Sequence, residues 1–404
     1  MGAEAGKSVD RRHVLVLVAM CGLTMVSLGL VLKLSGLFFT PVAAEFGCGR
    51  GEVSLSLTVV NLASALAGLV VVRLLRHMRL RPLVALGTAC AAGGTALLSL
   101  AQGLPVLYLL SAVQGFGAGL IGSVLVTDVI GNWFVGRRAL AVSVAFGSSG
   151  IAGAVFSPLV SWVIQSVGWR VAYLASGSIM LALCLPALLV GIARTPEELG
   201  LAPYGANSQE RRATRTAAPP SRGGLAGVLY FAFAATMVTA VPHHFPGIAG
   251  AYGLAASVGA LMISVCMAVN TCGKFALGWA IGRFGLRTAA VADVALVAGG
   301  LVLLSVAHGV PGVFVSAALV GCSYSAVTVL LSSLVRAMFG DEGYGRAFPK
   351  ANLASTLGTA VGAPFIGFAF DVTGGYTLAL LALAACALAG LGTVLRLPRC
   401  SRQE

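Results

Sequence analysis

"GWAIGRFGLR" (Gly278–Arg287) closes one long apolar run and opens the next. Upstream, from about 254 to 281, the only charged residue is Lys274. Downstream, from about 288 to 308, the only one is Asp293. Between them lie Gly282, Arg283, Gly285 and Arg287. About 20 consecutive apolar residues in a helix cross the hydrocarbon core of a bilayer. The decapeptide therefore reads as the short turn between two membrane-spanning helices.

The same alternation runs the length of the 404-residue chain. Apolar segments fall at about 14–44, 52–75, 82–101, 105–134, 139–166, 170–193, 223–251, 254–281, 288–308, 311–338, 346–371 and 375–396. Hydrophobic residues make up 58% of the chain and charged residues 10%, against roughly 25% charged in an average soluble domain. That composition excludes a soluble globule carrying one anchor and gives an all-α membrane protein with twelve transmembrane helices. The run after the short basic N-terminus (Lys7, Arg11, Arg12) is too long for a signal-peptide core and no A-x-A site follows it, so it reads as a retained first helix. The nine cysteines are scattered, with no CxxC and no His at metal-ligand spacing. Neither a disulfide framework nor a metal site is expected, and no cofactor.

A formal charge of +13 could point to nucleic acid, but its distribution points to topology. With the N-terminus inside, the cytoplasmic segments hold 22 of the 26 Lys and Arg, as the positive-inside rule requires. The outer loops hold Arg50 and Arg170, while Lys33 and Lys274 fall within helices. An anionic inner leaflet accounts for the charge, so the lipid bilayer is the expected partner and nucleic acid is not. Both termini are expected in the cytoplasm. The polar stretch "RTPEELGLAPYGANSQERRATRTAAPPSRGG" (194–224) divides the chain into a six-helix bundle (1–193), a cytoplasmic linker (194–222) and a second six-helix bundle (223–404).

The two halves look duplicated at an offset of 206 residues. "RHMRLR" (76–81) falls on "GRFGLR" (282–287), and "EFGCGRGEVSLSL" (45–57) on "AYGLAASVGALMI" (251–263). Gly115 falls on Gly321, Pro158 on Pro364 and Gly168 on Gly374. Two repeats of the same orientation imply a pseudo-twofold axis along the membrane normal, an arrangement that puts a binding site between halves near the midplane.

These residues carry a resemblance. "GWAIGRFGLR" and "GWRVAY" (168–173) are similar to signatures of the major facilitator superfamily, although Gly282 stands where the loop signature has Asp, and Arg76 and His77 where its first-half copy has Asp and Arg. "NWFVGRRALAVSVAFGSSGIAG" (132–153) resembles the fifth-helix signature of the monocarboxylate transporter family. "VLKLSGLFF" (31–39), "FGDEGYGRAF" (339–348) and "GAPFIGFAFDVTGGY" (362–376) resemble other parts of that family. The resemblance implies the superfamily's twelve-helix fold in two pseudo-symmetric halves and transport by alternating access. It also implies a small monocarboxylate such as lactate or pyruvate as substrate, symport with a proton, and residence in a bacterial inner membrane.

Lys274 is the sharpest single feature. A Lys near a helix centre costs about 2.5–3.5 kcal/mol on insertion scales. It lies nine residues before Arg283, roughly 13 Å at 1.5 Å per residue, and its stem covers about half that distance. Snorkelling is therefore strained, and a cavity-facing anion receptor is the favoured reading. Asn270 shares its face at i, i+4 spacing. The resemblance gives Lys274 the family's carboxylate-binding position and puts Asn270 where the family has a proton-linked Asp. Asn270 cannot titrate, which leaves Lys33, Lys274, a His or the substrate itself as the proton carrier. Lys33 reads as a second intramembrane cation or as an outward snorkel. "VPHHFPG" (241–247) interrupts helix seven with Pro242 and Pro246, tolerable only where freed backbone groups find partners. His243 and His244 there are either titrating cavity residues or packing at a kink. Tyr324 in helix ten and Asn352 in helix eleven read equally as cavity-lining or core. Asp128 and Asp293 resemble acids that latch an inner gate onto loop arginines such as Arg137, Arg138, Arg283 and Arg287, or they are simple interfacial ion pairs.

Two cations and no acid near the midplane favour a small organic anion. A dicarboxylate would call for two opposed deep cations, and "ANLASTLGTAVGAP" (351–364) contains none, so a monocarboxylate is favoured over an organic-anion or dicarboxylate exchanger. A transporter-like sensor is a weaker alternative. "GSSG" (147–150) has no nearby base and reads as helix packing, so no enzyme activity is expected.

Overall fold

The computed structural model describes residues 11–134, 138–189, 192–204 and 222–395. Hydrocarbon offers a peptide group no hydrogen-bond partner, and the helix satisfies each group within its own segment. In chain order the membrane helices are α1 (Arg11–Lys33), α2 (Arg50–His77), α3 (Leu80–Leu100), α4 (Leu104–Trp133), α5 (Arg138–Val167), α6 (Trp169–Leu189), α7 (Gly224–Ala251), α8 (Ala256–Phe284), α9 (Leu286–Val306), α10 (Val310–Gly340), α11 (Arg346–Thr373) and α12 (Thr377–Leu395). Among the described residues α1–α11 are long and apolar enough to cross a membrane, and the apolar part of α12 is shorter. The positions agree with the hydropathy reading to within several residues, with one refinement. The first run is two pieces, α1 and a second helix over Gly36–Phe46, parted at Leu34–Ser35.

The described residues form two compact units. One comprises those within Met1–Phe38 and Val59–Arg212, and the other those within Phe39–Thr58 and Ala213–Glu404. Each has its own close-packed helix crossings, made by residues with no side chain. In the first unit, a Cβ on Gly115 of α4 would collide with the backbone of Val60 in α2, and one on Gly94 of α3 would lie 2.9 Å from the amide nitrogen of Gln114. In the second, a Cβ on Gly321 of α10 would lie 2.7 Å from the carbonyl oxygen of Cys266 in α8, and one on Gly300 of α9 would lie 3.2 Å from the nitrogen of Val320. The 206-residue offset carries Gly115 and Val60 onto Gly321 and Cys266, and Gly94 and Gln114 onto Gly300 and Val320. The duplication is thus present as equivalent contacts. Gly168 and Gly374, another matched pair, both turn the chain with positive φ (91° and 70°).

Small residues four apart also set helix α11 on α7. Side chains at Gly358 and Gly362 would strike the backbones of Phe233 and Met237. Van der Waals contact of this kind is what associates helices in lipid, where burial of apolar surface gives little drive. At its end α10 is broken by Gly340, whose φ of 64° and ψ of −176° fall in a region open essentially to glycine alone.

Replacing Gly321 with Val forces overpacking between α8 and α10, with an expected cost of about 1–3 kcal/mol. The purified protein should melt several degrees lower in a thermal unfolding assay. Gly299→Ala, where a Cβ meets nothing within 4 Å, should leave the midpoint unchanged or raised.

Candidate functional site

The polar side chains of the second unit gather where its helices are irregular. Helix α7 runs regularly to Val238, passes through a 3-10 turn at Val241–His244, and resumes at Phe245. Pro242 has no N–H to give, so carbonyls of the preceding turn lose their helical partners. Tyr324 of α10 supplies one replacement, donating its phenol proton to the Thr239 carbonyl at 3.0 Å. The residue that tolerates the break is therefore a neighbour on another helix, and α10 itself widens to a π-helical turn just beyond, at Ala326–Leu330. Such turns recur at functional sites.

Helix α8 lies against this part of α10. A Cβ on Gly273 would sit 2.8 Å from Ser325 Oγ, so the two helices approach closely beside Asn270 and Lys274. Asn270 is 2% exposed. Its Nδ2 faces Met267 Sδ at 3.9 Å, a weak acceptor, and its Oδ1 is buried without a partner. Ser325 Oγ is likewise buried and unpartnered. Lys274 is half-buried and makes no hydrogen bond or ion pair with a described residue. A half-buried ammonium with no counter-charge among the described residues has spare capacity to bind an anion, while the unsatisfied Asn270 Oδ1 one turn away is an acceptor that calls for a donor such as a hydroxyl.

The two histidines differ in surroundings. His244 is 2% exposed, lies 3.0 Å from the Ala363 carbonyl through Nε2, and rests against the rings of Phe39 and Tyr376. A carbonyl accepts only, so Nε2 carries the proton there, and His244 serves the packing of α7 on α11. His243 is also buried. Asn352 is exposed on α11. Lys33, the last residue of α1, is half-buried immediately before the break at Leu34–Ser35 and belongs to the other compact unit.

At the N-terminal end of α2, the Asp371 carboxylate accepts from the amides of Arg50 (3.0 Å) and Gly51 (2.7 Å). It caps the two N–H groups the helix leaves open and complements its dipole. Arg50 stacks 4.2 Å over the Phe370 ring and donates to Tyr376 Oη at 2.7 Å and to the Gly247 carbonyl at 3.4 Å. Burial raises the Tyr376 phenol above its ordinary range, against the opposing pull of Arg50. None of this clasp was anticipated in the sequence, where Arg50 reads only as an outer-loop cation.

The expected latch residues separate. Asp128 does carry an arginine, but it is Arg194, whose Nε and Nη2 donate to the two carboxylate oxygens at 2.8 and 3.0 Å. Arg194 Nη1 also donates to the Leu75 carbonyl at 2.8 Å, near the end of α2. The paired carboxylate raises the guanidinium pKa. Arg137 and the Arg138 side chain lie outside the described residues, and Arg283 and Arg287 pair with no described acid. Nearby, Trp133 Nε1 donates to the Ala193 carbonyl at 3.1 Å, and His13 meets Trp133, Phe134 and Tyr204 edge-on. Thr195 and Glu198 form a capping box there, a signal readable as T-P-E-E. Most of the 194–222 linker lies outside the described residues.

Asp293 is the clear departure from expectation. Among the described residues it meets no latch arginine and no other cation. It is 6% exposed, its Oδ2 is buried without a partner, and no described cation pairs with it.

Among the described residues, eleven helices long and apolar enough to span a membrane and a shorter twelfth, with Lys33 and Lys274 inside them, define a polytopic membrane protein. The chain matches the Major Facilitator Superfamily over residues 14–290 and belongs to it. Along most of its length it is similar to monocarboxylate transporters: 28% identical to monocarboxylate transporter 11 of Homo sapiens over 91% of this chain and 79% of that one. It is 26% identical to monocarboxylate transporter 13 of Rattus norvegicus over 91% and 85%. Crystal structures agree on the fold. A bacterial homologue of the human lysosomal transporter Spinster superposes with a TM-score of 0.69 at 15% identity, covering 96% of this chain and 95% of that one. The nucleoside transporter NupG superposes with 0.72 at 10% identity, covering 95% and 99%. The protein is a multi-pass membrane transporter and not an enzyme.

Arg194→Lys removes the two-pronged geometry while keeping the charge. It should destabilise the protein by about 1 kcal/mol, the modest end expected for a partly exposed charged pair. Thermal unfolding should place Arg194→Met lower still, because the Leu75 carbonyl then loses its donor as well.

Proposed function

We propose that this protein carries a small monocarboxylate across the membrane by alternating access, together with a proton. The observation that carries the reading is the Lys274 ammonium on α8, which pairs with no described residue; the unsatisfied Oδ1 of Asn270 one turn away can accept from a substrate hydroxyl. Lys274 is the anion receptor, and a single carboxylate fits a single point charge. Asn270 turns its amide N–H groups to the substrate's carboxylate or hydroxyl. Tyr324, Asn352, His243 and Lys33 are further candidates for the substrate path. His243 and Lys33 remain candidates for carrying the proton, and His244 is better suited to packing, with its Nε2 proton already committed to Ala363.

The similarity to monocarboxylate transporters supports the substrate class. A bare anion entering against a negative-inside potential loses about 2.3 kcal/mol per 100 mV, and an accompanying proton cancels that loss. The clasp of Arg50 and Asp371 caps the start of α2, and Arg194, paired with Asp128, reaches the Leu75 carbonyl near the other end of the same helix. In this reading both chain termini lie in the cytoplasm, as the distribution of Lys and Arg supports.

Removing a charge-assisted partner worth about 1.5–3 kcal/mol should weaken binding about 10- to 150-fold. Lactate binding by the purified protein, read by calorimetry, should therefore fall by that factor in Lys274→Gln and largely survive in Lys274→Arg. Unchanged affinity in Lys274→Gln, or uptake of oxalate in preference to lactate by proteoliposomes, would remove this assignment.

A further inference from the structure

Asp293 lies on α9 at a cavity bounded by α7, α10 and α12. The cavity offers about 20 Å³ to the centre of a water, enough for one molecule, which needs roughly 10–15 Å³. Its walls are apolar, among them Phe231 and Val238 of α7, Val294 and Val297 of α9, Ala326 of α10 and Ala387 of α12. The two polar groups in it are Asp293 and Ser323, 6% and 2% exposed. Asp293 Oδ2 and Ser323 Oγ are both buried without a hydrogen-bond partner.

The internal duplication supplies a control. The offset of 206 carries Gly87 onto Asp293 and Gly117 onto Ser323. In the first unit that crossing is closed: a Cβ on Gly117 would lie 2.6 Å from the Gly87 carbonyl oxygen, and one on Gly87 would lie 2.5 Å from the Ile121 side chain. The fold therefore packs this crossing with two glycines and no space. The second unit opens it and puts an acid and a hydroxyl inside. Packing does not require either group.

We propose that Asp293 is a proton-binding site of this transporter, standing in for the carboxyl that Asn270 cannot provide; this rests on the proton-coupled reading above. One proton binds a carboxylate oxygen of Asp293 and leaves it, with no other bond made or broken. In the ionised form the Ser323 hydroxyl donates to the carboxylate, directly or through a single water. The groups facing Asp293 leave its charge otherwise uncompensated. Helices α7 and α12 present apolar residues to the cavity, and α10 adds Ser323, which follows Cys322 in the chain, and Ala326. Ser323 is followed in the chain by Tyr324, which holds the Thr239 carbonyl at the break in α7. The protonation site and the break are thus joined by adjacent residues of α10, immediately before its π-helical turn.

The test uses the full chain in lipid. Infrared difference spectra between acid and alkaline pH should show, in the wild type, loss of a protonated-carboxyl band on alkalinisation. That band should be missing in Asp293→Asn and displaced in Asp293→Glu. Its persistence unchanged in both overturns the proposal, whatever the substrate. In proteoliposomes a pH gradient of one unit supports about tenfold accumulation for one proton per lactate. Asp293→Asn should accumulate lactate to about onefold, yet still exchange labelled for unlabelled lactate at equal pH. Wild-type accumulation in Asp293→Asn also overturns it. If the wild type moves no lactate at all, the monocarboxylate reading fails and the infrared result alone decides the proton site. If Asp293→Asn is not recovered folded, Asp293→Glu carries both measurements.

Discussion

Every peptide group in these helices must be satisfied inside hydrocarbon, and that constraint governs where the chain is allowed to be irregular. Most of the fold answers it with uninterrupted helix. At the break in α7, a specific replacement is visible: the Tyr324 phenol for the Thr239 carbonyl. The open amides at the start of α2 are met by Asp371.

Side chains that repair nothing stand out against this background. Lys274, Asn270 Oδ1, Ser325 Oγ, Ser323 Oγ and Asp293 Oδ2 all lie in one compact unit. Unsatisfied polar groups in an apolar interior cost free energy that a fold optimised only for stability would remove. Among the described residues the first unit has two such atoms, His13 Nδ1 and Thr88 Oγ1, so most of them fall in the second.

The sequence made the helices legible because hydropathy and charge act over some twenty residues at once. Lys274 was legible for the same reason, as one charge in a long apolar run. The repeat was legible as letters, and the contacts of Gly115 and Gly321 give it a physical meaning. Partner choice was not legible. Nothing in the letters ties Asp128 to Arg194, 66 residues away, or Arg50 to Tyr376, because such pairs depend on how distant helices cross. Asp293 was misjudged for a related reason. Its place early in α9 suggested an interface, whereas its depth is set by α7, α10 and α12 closing around it.

The glycine pair at Gly87 and Gly117 and its counterpart at Asp293 and Ser323 also differ in what variation they permit. The first is a steric lock: an atom added at Gly117 meets backbone, and one added at Gly87 meets the side chains of Ile121 and Leu120. The second has room and is lined by side chains, so residues there can change size and acidity while the crossing survives. One copy of a duplicated unit is thereby fixed as a framework, and the other is left chemically adjustable. A transporter built this way can alter its energetic coupling by exchanging two side chains, with no new arrangement of helices.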